Sequence, residues 1–466
     1  MYESARCHKM KKVFLHFALL LLISSCSLRE DSIVVSTNDS DPVENKILNE
    51  AINLRSSLFG NTTKSLQGIS VTELRPRTKS SSISSYVVNY QNEGGYAVIT
   101  TDGEDITTVA ITSGGYLNPT FLQDAIDNVE NTTFTYNEGV AESPQDFEYG
   151  DEYIQPYPMD PLPYEEDLIN NTEPLPNDHP SIRFIAETLV YLDNFSEDSI
   201  LGQQVDRSTV PVDSSLIGVW TQTAGVAPLI KTKWGQRGVY QQACPIMPDG
   251  NKALVGCVGI AAGQITAYLA PPHLNYDWNR LVNIGNKDDR YATNASNEDK
   301  ELVANYLRFV ADAVSTNYGS DGSSSNISYA SIFYRENVLL NNVSIYDYDE
   351  TMSFRSRMME RLQYHLPIHI RSSSDDGGHA FIIDGYMTQV KYITTTMGAL
   401  RDVFHINWGW YGSGDGYYMM PNLNSRDRVG YDSETDPGNS AGLSNARDIR
   451  IITYSNPSWR FSPIQL

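Results

Sequence analysis

The pattern of apolar and polar positions divides the chain into segments of different kinds. Lys11 and Lys12 precede an apolar run from Val13 to Ile23, which ends in Ser24-Ser25-Cys26. A basic start, a short apolar stretch and small residues at its end predict a secretory signal peptide over 1–26, with Met10-Lys11-Lys12 as its natural start. The stretch is too short for a membrane span, which needs about 20 apolar residues. Residues 27–60 are polar with few aromatics, as a tether is. Between 86 and 117, Tyr86-Val87-Val88 and Tyr96-Ala97-Val98-Ile99 flank Asn92-Glu93-Gly94-Gly95, and Val109-Ala110-Ile111 runs into Gly114-Gly115, which predicts a small β-meander. Residues 142–180 hold eleven Asp+Glu, eight Pro and no Lys or Arg; they are too polar to bury a core and read as an exposed acidic insertion.

From about residue 216 the chain becomes dense in aromatics and glycine. Cys257 to Ala270 predicts a helix with Val258, Ala261, Ala262, Ile265 and Leu269 on one face, stopped by Pro271-Pro272. Further helices are predicted over 299–317 and about 354–364. Strand-like runs follow at 368–372, 380–383, 403–407, 416–420 and 449–454. Helices first, then strands on short turns, predict an α+β fold with an antiparallel sheet.

Composition narrows the chemistry. The chain carries 34 Lys+Arg against 57 Asp+Glu, and 34 − 57 = −23 argues against a nucleic-acid partner. Four cysteines cannot staple a chain of 466 residues, and two of them, Cys7 and Cys26, lie in the leader. The eight histidines show no metal-ligand spacing: His365 and His369 are four apart, but Pro367 between them breaks the helix. No metal and no other cofactor is expected.

The remaining chemistry-bearing residues form a set. Gly256-Cys257-Val258-Gly259 places a thiol at a helix N-terminus, where the helix dipole favours the thiolate. Gly377-Gly378-His379-Ala380-Phe381 opens a strand with an accessible imidazole. In Phe404-His405-Ile406-Asn407-Trp408, alternation puts His405 and Asn407 on one face and Phe404, Ile406 and Trp408 on the other. Singly, each reads equally well as structure. Together they follow the papain-type order of Cys, then His and Asn 122 and 150 residues on (379 − 257 and 407 − 257).

The local residues resemble the streptopain family of bacterial papain-like cysteine peptidases. The resemblance rests on G-C-V at 256–258, Tyr276-Asp277-Trp278-Asn279, G-G-H-A-F-I-I-D-G at 377–385, H-I-N-W-G-W at 405–410 and G-D-G-Y at 414–417. It implies a papain-like peptidase domain over 216–466, preceded over 61–215 by a β-rich propeptide that acts as an intramolecular inhibitor. It implies Cys257 as nucleophile, His379 as acid and base, Asn407 or Trp408 as support for the histidine, and Gln236 as an oxyanion donor. Gln236 lies 21 residues before Cys257, farther than papain's glutamine from its cysteine. Tyr411 stands where the family usually has glycine, in a loop on the substrate side. Ile23-Ser24-Ser25-Cys26 resembles a bacterial lipobox, which implies lipidation at Cys26, a membrane tether, and a place at the outer membrane or cell surface.

The reading is an exported, lipid-anchored zymogen of a cysteine endopeptidase acting on proteins or peptides. The alternatives are a Cys-His acyltransferase of transglutaminase type, and a non-catalytic surface lipoprotein that keeps the fold. Residues 216–466 carry 21 Lys+Arg and 24 Asp+Glu, a balance of −3, so −20 of the −23 lies in residues 1–215.

Overall fold

The computed structural model describes residues 42–59, 69–75, 83–90, 94–103, 106–137, 175–194, 220–347, 352–374, 377–392, 398–419, 448–457 and 459. The signal peptide, Cys26 and most of the acidic insertion lie outside the described residues. Two compact units are distinguished, Met1–Asn45 and Lys46–Leu466; only 42–45 of the first are described.

In the N-terminal half, helix α1 (Pro42–Phe59) is followed by strands β1 (Ser70–Glu73), β2 (Ser84–Asn89), β3 (Tyr96–Thr101) and β4 (Ile106–Thr112). These strands are rich in β-branched residues and pair in succession as the meander read from the sequence. Residues 42–59 are not part of a tether. Ile47, Ala51 and Ile52 are buried, and the Tyr90 hydroxyl donates to the Ala51 carbonyl at 2.8 Å, so the helix is fixed to the meander. Two further helices escaped the sequence reading, α2 (Pro119–Asn137) and α3 (Pro180–Asn194), which pack on each other. The last residues of the expected insertion are likewise core, since Leu175 and His179 are buried.

The C-terminal half opens with β5 (Trp220–Val226) and the helices α4 (Cys257–Leu269), α5 (Asn297–Ala313) and α6 (Ile327–Glu336). Strand β6 (Asn341–Asp347) and helix α7 (Met352–Gln363) follow. The strands β7 (Ile368–Ser374), β8 (Gly377–Tyr392), β9 (Gly398–Asn407), β10 (Gly416–Met419) and β11 (Asp448–Ser455) complete an α+β fold. Helix α4 is buried on nearly all sides rather than on one face, because it packs on β7 and β8 as well as on α5 and α6. Its low polarity is thus a sign of centrality, not of amphipathic packing.

Among the described residues, the strands form one antiparallel sheet in the order β1-β2-β3-β4-β10-β9-β8-β7-β11-β6, with β5 pairing β8. The sheet does not stop at residue 215. Strand β4 pairs with β10 through Thr112 opposite Gly416, Ile111 opposite Tyr417 and Ala110 opposite Tyr418. The segments before and after residue 215 therefore contribute strands to one sheet. Among the described residues no helix is long and apolar enough to cross a membrane.

Candidate active site

The position of Cys257 is set by Gly256. It precedes α4 with φ +88°, a backbone that side chains rarely adopt, so the chain turns sharply and Cys257 becomes the first helical residue. The first-turn N–H groups of a helix have no intrahelical acceptor, and the positive dipole end lies beside the thiol. Cys257 is 6% exposed, and burial raises its pKa; backbone N–H groups of Ala380 and Val258, and the Arg371 guanidinium, pull in the other direction. The contact with Ala380 places the sulfur against the strand that carries His379.

That strand leaves room for a site because its neighbour ends early. Strand β9 pairs with β8 only as far as Asn407 opposite Ile382, while β7 continues past His379, which lies opposite Ser372. On the β9 side, residues 379–381 therefore face the loop 408–415. His379 donates from Nε2 to the Trp408 carbonyl at 2.8 Å. That bond leaves Nδ1 as the ring nitrogen available for a proton shared with the thiol. The imidazole lies beside the packed pair Phe381 and Trp408, with ring centroids at 6.2 and 6.3 Å from its own and 4.6 Å from each other. Burial lowers its pKa to about 4, with the bond to Trp408 opposing the shift.

Of the two residues offered as support for the histidine, Trp408 makes the contact, through its backbone. Asn407 is turned away. Its amide donates to the Thr232 carbonyl at 3.1 Å and accepts from Gln264 at 3.2 Å, tying β9 to α4 and to the segment that leads to Gln236. The Trp408 peptide is itself held. Buried Asp415 accepts from the Trp408 N–H at 3.0 Å and pairs at 2.6 Å with Lys233, whose side chain is 18% exposed. Burial alone would lower the Lys233 pKa, but Asp415 outweighs it and the net shift is upward. Asp415 belongs to the G-D-G-Y motif, yet sequence reading gave it no role; Lys233 and Gln264 carried no signal at all.

Gln236 is buried, and its carbonyl accepts from the Val255 N–H at 3.3 Å, two residues before the nucleophile. The 21-residue separation is closed by a 3-10 turn at Gly238–Gln241 and a bridge between Ile246 and Lys252. Tyr411 does not present its ring to a substrate surface. It is buried against Gly235, Tyr240 and Tyr291. Cys244 is buried and not disulfide-bonded, with a pKa raised to about 11 by burial first. Among the described residues no cluster of His, Cys, Asp or Glu could hold a metal.

Among the described residues, the N-terminal half reaches Trp408 through Phe184, edge-on at 5.9 Å, and through His179. His179, just before α3, packs edge-on against Trp410 at 4.8 Å and Trp408 at 6.2 Å. Its Nδ1 accepts from the Ser181 N–H at 3.2 Å and its Nε2 donates to the Ser413 carbonyl at 3.2 Å, a pattern that only a neutral ring satisfies. Burial, then the nearby His379, lower its pKa to about 3. Burial thus disfavours charge on the thiol and on both imidazoles.

A thiol at a helix N-terminus is thus set against a strand-borne imidazole whose far nitrogen is held by a backbone carbonyl. Residues 234–418 match the model of the Peptidase C10 family. Streptopain of Streptococcus pyogenes is 25% identical over 251 residues, which cover 44% of this chain. The thiol protease/hemagglutinin PrtT of Porphyromonas gingivalis is 21% identical over 230 residues, covering 43% of this chain and 25% of PrtT. The chain spans 60% of the length of streptopain. A prointerpain A fragment of Prevotella intermedia aligns with 83% of this chain and all of its own at 18% identity and a TM-score of 0.45. Active interpain A from the same organism covers 53% of this chain and all of its own, at 20% identity and a TM-score of 0.37.

Proposed function

We propose that the chain is an exported, lipid-anchored zymogen of a cysteine endopeptidase. The observation that carries this reading is the meeting of Cys257, at the head of α4, with the His379–Ala380 edge of β8. The Cys257 thiol passes its proton to His379 Nδ1 and the sulfur attacks the peptide carbonyl carbon, so that the C–S bond forms as the carbonyl oxygen takes up negative charge. The Gln236 amide and the Cys257 N–H accept that charge; losing one such donor costs roughly 2.7–4 kcal/mol of barrier. His379 delivers a proton from Nδ1 to the departing amine as the C–N bond breaks. Water then attacks the thioester, gives its proton to His379, and the thiol is released with the acid product.

Latency follows from the electrostatics. With His179 and its segment packed on the tryptophans, thiol and imidazole are too poorly solvated to exchange a proton into an ion pair. Removal of that segment admits water and lowers the cost of charge. Export and anchoring rest on Lys11-Lys12, the run Val13 to Ile23 and Cys26. If Cys26 is the anchor, Cys26→Ser abolishes incorporation of labelled fatty acid, and unchanged incorporation removes the anchor from the account.

The activated-thiol claim is tested by alkylating the processed enzyme with iodoacetamide near pH 6. Cys257 reacts stoichiometrically and faster than a free thiol, and His379→Ala abolishes the advantage. A rate no higher than that of a free thiol, or one indifferent to His379, contradicts the mechanism.

A further inference from the structure

The loop 408–415 does more than hold the histidine. Its backbone turns at Tyr411 with φ +56°, a left-handed conformation uncommon for a residue with a side chain, and the aromatic ring is folded inward. From there Tyr411 grips the chain on either side of Gly235-Gln236. Its N–H donates to the Trp234 carbonyl at 3.3 Å, and its hydroxyl oxygen accepts from the Arg237 N–H at 2.8 Å. The ring lies so close over Gly235 that an added Cβ there would sit 2.3 Å from it, which accounts for glycine at that position. On its far side Gln236 is tied by its own carbonyl to Val255. The segment with the oxyanion donor is thereby fixed between the loop of the histidine's acceptor, Trp408, and the loop of the nucleophile.

We propose that Tyr411 is a positioning residue for catalysis, setting the register of Gln236 against Cys257 and His379. The inference rests on the peptidase reading above. Its physical basis is that oxyanion stabilisation depends on donors placed in advance to within a fraction of an ångström. Release of the Arg237 N–H lets the Gln236 peptide rotate without disturbing the thiol or the imidazole. One loop thus aligns the proton-transfer group and the oxyanion donor together.

The experiment compares the processed wild-type enzyme with Tyr411→Phe, which keeps the ring and removes only the hydroxyl, and with each combined with Gln236→Ala. Loss of one hydrogen bond in the register predicts a fall of about tenfold in kcat on a peptide substrate, with KM changed less than about twofold. Alkylation of Cys257 by iodoacetamide, which passes through no oxyanion, proceeds at the wild-type rate. In the Gln236→Ala background, Tyr411→Phe has no further effect, because the group it positions is gone. A kcat equal to wild type, an equal loss in alkylation, or a full additional loss in the Gln236→Ala background overturns the proposal. A wild-type enzyme that neither cleaves peptides nor alkylates faster than a free thiol overturns the peptidase reading itself, and the inference with it.

Discussion

Removing the Asp415 carboxylate leaves the part-exposed Lys233 ammonium without its partner and the buried Trp408 N–H without an acceptor. Leaving a buried donor unsatisfied costs about 1–3 kcal/mol, so Asp415→Ala should lower the free energy of unfolding by about that amount. Asp415→Asn keeps an acceptor for Trp408 and should cost less. Denaturant titration decides it, and an alanine variant within about 1 kcal/mol of wild type would show that the pair is not structural. At this scale Cys257 stood out because Gly256, at φ +88°, marks a sharp entry into a helix, and His379 because its block opens a strand. Trp408 was one of two residues offered as support for His379, but its use of a backbone carbonyl was not legible, since a carbonyl has no identity in the sequence. Lys233 and Asp415 lie 182 residues apart and meet only through the fold.

Helix α3 and His179 make the N-terminal half a pH-sensitive part of the molecule. His179 titrates at about 3 when folded, against about 6.5 for an exposed imidazole, because burial penalises its charged form. On acidification the unfolded chain therefore takes up the proton first. The stability due to the neutral ring is complete above about pH 6.5 and is lost progressively as pH falls toward about 3. His369, at about 3, and His379, at about 4, act in the same direction for the same reason. Urea midpoints of the Cys257→Ala chain should fall steadily from pH 7 to pH 5, and His179→Phe should make that slope shallower. A flat profile, or an unchanged slope in the variant, contradicts the burial argument.

Strands and late helices were readable from periodicity because their turns are short and their apolar runs dense. Helix α3 was overlooked although Pro180 stands at its first position and Ile182, Ile185 and Leu189 mark a buried face. The acidic composition of the residues before it concealed that signal. Helix α6 is rich in aromatic and β-branched residues, poor helix formers, and only its Asn326 cap, accepting from Ser328 at 2.9 Å, betrays its start. The β4–β10 pairing joins residues about 300 positions apart, and no local pattern encodes such a partner.

As a whole, the molecule joins a near-neutral C-terminal part through a shared sheet to an acidic N-terminal part. With a balance of −3 over residues 216–466 against −20 over 1–215, the proposed processing would remove most of the charge. It would also strip β4 from β10, leaving β10 as an edge strand beside the histidine loop. The most direct measurement follows the mass of residues 27–466 over time beside a Cys257→Ala variant. Self-processing to a catalytic fragment whose isoelectric point lies well above the 4.7 of the full chain, with the variant remaining full-length, is the result predicted. Two intact chains, both inert on protein substrates after treatment with an external protease, would contradict it.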